Sequence, residues 1–310
     1  MIFYNIKQHT TIIDLHFDGL NVILKRRINK SSINKHLKEF LNTNLKSILI
    51  SDQNTLQMLN RRFKSHLNYS PKLDSKIRTI FNYVQFSKKK PGNGYDAYKL
   101  ASNLNIRTCL YCNRNYTLTV VEPTKKNNKI TRPEFDHFFN QAENPLLALS
   151  LFNLIPCCKT CNSSLKKVIA FDLDNYLHPY KDNITNHYCY KFNPYDVQAI
   201  IGGTSNLGVK IIVTGTSTYM RRKINKSIRI FALEKIMSAH SEELKDLFEI
   251  RYRFSEKYFA ELLKKYHNIG LNKDEMYKLV FGVYANESNF SQRPFSKLKK
   301  DILTELNIFQ

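Results

Sequence analysis

Two C-x-x-C pairs constrain this chain more than any other feature: Cys109-Leu-Tyr-Cys112 and Cys158-Lys-Thr-Cys161. Each pair can bring two sulfurs to one side of a tight turn, and two such turns complete a tetrahedral four-thiolate site of the kind zinc fills. The first nine residues lack the apolar core of a signal peptide, and no run of eighteen apolar residues occurs. A cytosolic chain is therefore expected, in which thiols stay reduced and serve as metal ligands rather than disulfides. Neither pair sits in a strand-to-helix context, which argues against a redox site; four unrelated buried thiols are the remaining alternative. Zinc held by four thiolates has no open position, so its role would be structural. Cys157 and Cys189 have no partner at ligand spacing and read as small buried residues.

The second pair begins 49 residues after the first, longer than a compact zinc ribbon needs, so a functional insert is expected between them. That insert contains Phe135-Asp136-His137-Phe138. A neutral imidazole is a competent general base near neutral pH, and a neighbouring carboxylate offers oxygen to a hard divalent cation. An Asp-His dipeptide alone is more often structural, and only its place between the cysteine pairs raises its standing. Charge adds a second constraint. The chain carries 48 Lys and Arg against 26 Asp and Glu, a formal net charge of +22, which favours a polyanionic partner, nucleic acid first. The excess is uneven: 17 basic and 5 acidic side chains over residues 1–95, 11 and 8 over 96–190, 20 and 13 over 191–310. Basic flanks that grip phosphates around a near-neutral chemical centre fit this layout, as does a generally Lys-rich composition.

The expected fold class is α+β, mostly α: a central zinc-stapled unit over residues 94–172, between a basic, mainly helical module at 1–93 and a mainly helical module at 173–310. Residues 10–17 alternate loosely and read as a strand. Ile33, Leu37, Leu41, Leu45 and Ile48 recur at helical spacing behind a Ser31 or Ser32 cap. Further helices are expected from Asp52, from Asp74 and over Tyr95–Leu104, with a Lys-, Pro- and Gly-rich linker at 87–94. In the centre, 116–121 and 130–137 read as two strands joined by a polar turn, Pro145–Phe152 as a short helix, and Cys161–Lys167 as the opening of another. Downstream, a strand over Val209–Val213 is followed by helical patterning from Ile228 to Tyr266, a stop at Gly270, and helices at 273–284 and 294–306, with Pro294 in the first turn.

Four blocks in order, Cys109-Leu-Tyr-Cys112, Asp136-His137, Asn153-Leu-Ile-Pro156 and Cys158-Lys-Thr-Cys161-Asn162, resemble the zinc-stapled branch of the HNH, or ββα-metal, endonucleases. The match covers about a fifth of the chain. Its lysine falls one residue late, at Lys166, Asn140 stands where many members have proline, and the glycines that often precede the middle asparagine are absent. The resemblance implies metal-dependent hydrolysis of DNA phosphodiesters, with His137 as general base and Asp136 and Asn162 on a catalytic Mg²⁺ or Mn²⁺. Asn153 would orient the base or stiffen its loop, and Cys109, Cys112, Cys158 and Cys161 would hold structural Zn²⁺. The flanks are similar, more loosely, to HNH nucleases of bacterial antiphage defence systems, some of which act beside a partner protein such as an ATPase. RNA as substrate, and a non-catalytic zinc-stapled nucleic-acid-binding or assembly module, remain the alternatives.

Overall fold

A computed structural model describes residues 1–88, 94–122 and 128–308. Most of the expected linker (89–93) and of the expected central turn (123–127) lies outside the described residues. The described chain is mostly helical with three small two-stranded antiparallel sheets, and it divides into two compact units. One comprises Asn5–Ile106 and Thr117–Asp174; the other comprises Met1–Tyr4, Arg107–Tyr116 and Asn175–Gln310.

The first unit opens with α1 (Thr10–Lys30), not with the expected strand at 10–17. Ile12, His16, Leu20, Leu24 and Ile28 are all buried and four residues apart, so the loose alternation of residues 10–17 is the start of a helical stripe. Burying a Leu or Ile side chain contributes roughly 1.5–3 kcal/mol, more than the local strand propensity of a few residues. Helix α2 (Lys35–Ile50) buries Leu37, Leu41, Leu45 and Ile48 as its spacing predicts, but Asn34 caps it rather than Ser31 or Ser32: the Asn34 side chain accepts from His36 N. Helix α3 (Gln53–Lys64) starts behind Asp52, whose carboxylate accepts from Thr55 N. Leu67, beyond its end, is fully exposed. The expected third helix is two pieces, α4 (Asp74–Ile80) and α5 (Tyr83–Ser87), and α6 (Ala97–Leu104) follows.

The strand pairing of the centre differs from the expected hairpin. Strand β1 (Val120–Glu122) pairs with β2 (Asn128–Thr131), and the expected single strand over 130–137 is interrupted at Arg132-Pro133. Proline cannot donate to a ladder, so the chain leaves the first pairing there. Strand β3 (Glu134–His137) takes a new partner, β4 (Leu154–Cys157), with Asp136 opposite Ile155 and His137 opposite Leu154. Between them, Pro145–Leu147 and Leu151–Asn153 are single 3₁₀ turns, not one helix. After β4, Thr160–Lys166 forms a short π-helical segment that ends where Lys167 takes φ 51°. Asn162 lies inside that segment.

In the second unit, β5 (Tyr188–Pro194), absent from the sequence expectation, pairs with β6 (Leu207–Val213), and α7 (Val197–Ile200) lies in their connection. The long helical pattern is divided into the end of α8 (Thr218–Ile230), α9 (Leu233–Ser238), α10 (Ser241–Arg253) and α11 (Glu256–Asn268). The first break is backbone-driven: Ala232 sits at φ 46°, which no continuous α-helix accommodates. Gly270, at φ 84°, follows α11 as expected, then come α12 (Lys273–Phe281) and α13 (Ser296–Glu305). Pro294 precedes α13 instead of occupying its first turn, because Phe295 adopts φ 61° at the cap. No helix among the described residues is long and apolar enough to cross a membrane.

Candidate functional site

The cysteine pairs are built as tight turns. Asn113 N donates to Cys109 O at 2.8 Å, Asn113 adopts φ 52°, a conformation asparagine tolerates better than most residues, and Arg114 N donates to Cys112 Sγ at 3.4 Å. In the other pair Asn162 N donates to Cys158 O at 3.1 Å. Cys109, Cys112, Cys158 and Cys161 are all buried, and their sulfurs lie within 4.8 Å of one another. A tetrahedron with metal–sulfur bonds of about 2.3 Å has edges of about 3.8 Å, so the four sulfurs fit a single ion such as zinc with little movement. Cys157 is fully buried in β4 as expected, with burial holding its thiol well above the usual range; Cys189 is only partly buried.

The second cluster grows from strand alternation in β3. Side chains two apart share a face, which puts Glu134 and Asp136 on one face of β3, while His137, the last residue of the strand, borders the same cleft. The π-helical segment lies across the carboxylate face. Asn162 Nδ2 and Ser163 Oγ donate to Glu134 Oε2 at 2.9 and 3.0 Å, and Lys166 Nζ donates to Asp136 Oδ1 at 2.6 Å and to His137 O at 2.8 Å. Lys166 and Asp136 are 2% and 3% exposed, so this is a buried ion pair. The Lys166 ammonium also lies 4.7 Å from the Phe171 ring centre.

His137 is nearly buried, with the Tyr83 ring edge-on to it at 4.4 Å between centres. Its Nε2 lies 3.0 Å from Ala148 O. A carbonyl only accepts, so Nε2 carries the proton and Nδ1 carries the lone pair in the neutral ring. Burial pushes the imidazole pKa down to about 4; the Ala148 carbonyl and the Asp136 charge oppose this and Lys166 adds to it. At neutral pH the ring is therefore an uncharged proton acceptor held in one tautomer.

Asn153 is fully buried. Its Oδ1 accepts from Phe139 N at 2.7 Å, and its Nδ2 donates to Phe139 O and Leu147 O at 3.2 and 3.0 Å. It ties the two ends of the 138–153 loop together one residue before Ala148, the residue that holds His137. This is the loop-stiffening arrangement and keeps Asn153 off the cleft. Asp136, His137 and Asn162 line one open cleft of about 810 Å³, together with Glu134, Arg132, Lys166 and Lys167. Glu134 was missed by sequence reasoning, although its place two residues before Asp136 on a strand was enough to put both carboxylates on one face. The oxygens of Glu134, Asp136 and Asn162 are hard donors of the kind Mg²⁺ takes, with one Asp136 oxygen already neutralised by Lys166.

No family model matches this chain, and neither a curated protein nor a solved structure matches it.

Proposed function

We propose that the protein is a metal-dependent HNH-type endonuclease that hydrolyses DNA phosphodiester bonds. One observation carries the reading: a histidine held neutral, with its tautomer fixed by Ala148 O, shares a cleft with two carboxylates and an asparagine from the adjoining turn. The net charge of +22 supports a polyanionic substrate. The order of the cysteine, Asp-His and asparagine blocks supports this reaction class, and the looser likeness of the flanks supports a role as the effector nuclease of a bacterial antiphage defence system working with a partner such as an ATPase.

In this mechanism His137 Nδ1 takes a proton from a water as its oxygen bonds to phosphorus. The bond from phosphorus to the 3′ oxygen breaks, that oxygen gains a proton from solvent, and the product keeps a 5′ phosphate. Asp136 and Asn162, with Glu134 beside them, would hold Mg²⁺ or Mn²⁺, which when bound supplies charge neutralisation at the phosphate and leaving oxygen. Arg132 and Lys167 also line the cleft, where their charges would attract phosphate oxygens. Ala148 O keeps the base aimed, and burial keeps it uncharged until the water arrives.

A second reading, a zinc-stapled nucleic-acid-binding module without catalysis, is favoured by the Asp136–Lys166 pair, which completes the carboxylate's charge balance without a metal. Incubating the purified protein with labelled DNA and RNA, in Mg²⁺ and in Mn²⁺, separates the two. Cleavage of DNA that disappears in His137→Ala, with zinc content and DNA affinity unchanged, is the expected result. Identical behaviour of wild type and His137→Ala in every metal would leave the binding module, and cleavage of RNA alone would reassign the substrate.

A further inference from the structure

His137 is not the only histidine in the first unit that ends on the 138–153 loop. His16, in the middle of α1, is fully buried, and its Nε2 lies 2.8 Å from Leu149 O. Leu149 is the residue after Ala148, whose carbonyl receives His137 Nε2–H. Two imidazoles from different elements thus bond consecutive carbonyls of one turn. The carbonyl again fixes the proton on Nε2, so His16 Nδ1 must accept, and it does so from Tyr95 Oη at 3.1 Å. Burial holds the Tyr95 hydroxyl protonated and His16 neutral, so both donors persist at neutral pH.

The sequence is arranged around this contact at a local cost. Gly19 interrupts the α1 interior, where glycine is unfavourable. A Cβ at that position would lie 2.3 Å from Tyr95 Cγ, so only glycine lets the Tyr95 ring lie against the helix and reach His16 one turn earlier. The rest of the loop is docked on the same helices. Asn60 of α3 donates to Asn144 Oδ1 at 2.7 Å, Lys64 donates to Glu143 O at 2.7 Å, and Ser150 Oγ donates to Ile48 O of α2. The turn that aims His137 is therefore set by the N-terminal helices as well as by Asn153.

We propose that His16 is a positioning residue for the base: through Leu149 and Ala148 it fixes the tautomer and aim of His137. This rests on the reading of His137 as a general base, so the decisive readout does not need turnover. In ¹⁵N-labelled protein the His137 ring shifts report which nitrogen carries the proton. Wild type shows the Nε2–H tautomer. His16→Phe, which keeps an aromatic volume but removes the donor, shows a mixture of tautomers at His137. His16→Gln, which places an amide N–H near the lost Nε2–H, recovers most of the wild-type pattern. Where cleavage is measurable, kcat falls about 10- to 100-fold in His16→Phe, with KM and zinc content unchanged, the range typical of lost orienting partners. Tyr95→Phe, which keeps the ring against Gly19 and removes only the hydroxyl, makes the same test if His16→Phe does not fold. A folded His16→Phe or Tyr95→Phe protein with an unaltered His137 tautomer overturns the proposal. A wild type that shows the predicted tautomer pattern yet cleaves nothing overturns the nuclease reading and leaves the positioning role in place.

Discussion

Replacing Lys166 by methionine tests the Asp136–Lys166 pair directly. The substitution keeps most of the side-chain volume against Phe171 but removes the ammonium that donates to Asp136 Oδ1 at 2.6 Å and to His137 O at 2.8 Å. Both partners are nearly inaccessible, so the carboxylate loses the Lys166 charge in a largely desolvated place. Breaking a buried pair on one side costs roughly 3–5 kcal/mol. In a domain of about 150–250 residues each kcal/mol moves the midpoint by about 2–4 °C, so Tm should fall by about 6–20 °C. Asp136→Leu strands the ammonium instead and should also be destabilised. The double variant Lys166→Met, Asp136→Leu, which removes both charges, should lose less than the sum of the singles. Under the metal role proposed for Asp136, Mg²⁺ should raise the Tm of Lys166→Met more than that of wild type, because the ion would return the missing positive charge; at a hundredfold excess over its Kd the gain is about 2.7 kcal/mol. Thermal and urea melts of the four proteins, with and without Mg²⁺, decide the matter. Additive single costs, or a Lys166→Met protein within about 1 kcal/mol of wild type, would refute the idea that this pair is buried and coupled.

Two further outcomes follow from the same geometry. His16 and His137 are both held neutral with pKa about 4 against an ordinary 6.5. Between those values the unfolded chain binds more protons than the folded one, so stability is complete above about pH 6.5 and is lost as pH falls towards 4, by up to about 3 kcal/mol per histidine. Urea midpoints from pH 4.5 to 7.5 check this, and His16→Gln should flatten part of the slope. For the sulfur cluster, elemental analysis should find one zinc per chain, and Cys112→Ser should lower both the metal content and the thermal midpoint; full zinc retention in that variant would exclude Cys112 as a ligand.

Much of the candidate site is visible in local spacing. The C-x-x-C turns, the Asp-His dipeptide and the apolar stripes of α2 and α3 are short-range patterns, because a two-residue turn or a helical period involves only neighbours in the chain. Those patterns led to the four thiols that the structure gathers. The reading failed where a local pattern was weaker than burial elsewhere. Residues 10–17 alternate like a strand but complete a stripe whose other members, Leu20, Leu24 and Ile28, come later. Residues 130–137 read as one strand until Pro133 divides them between two partners.

What the sequence by itself determined, then, is the inventory: four cysteines at ligand spacing, a histidine beside a carboxylate, and a strong positive charge. Only the tertiary structure decided how the members pair. Glu134 joins Asp136 because both share a strand face under the Asn162 turn, and Lys166 is inside because that turn folds its ammonium onto Asp136. His137 is a neutral acceptor because Ala148 O, eleven residues along the chain, meets its Nε2 in a place water hardly reaches. Hydrogen bonds between distant carbonyls and rings, and the desolvation that fixes their protonation, depend on packing, and spacing along the chain does not encode packing.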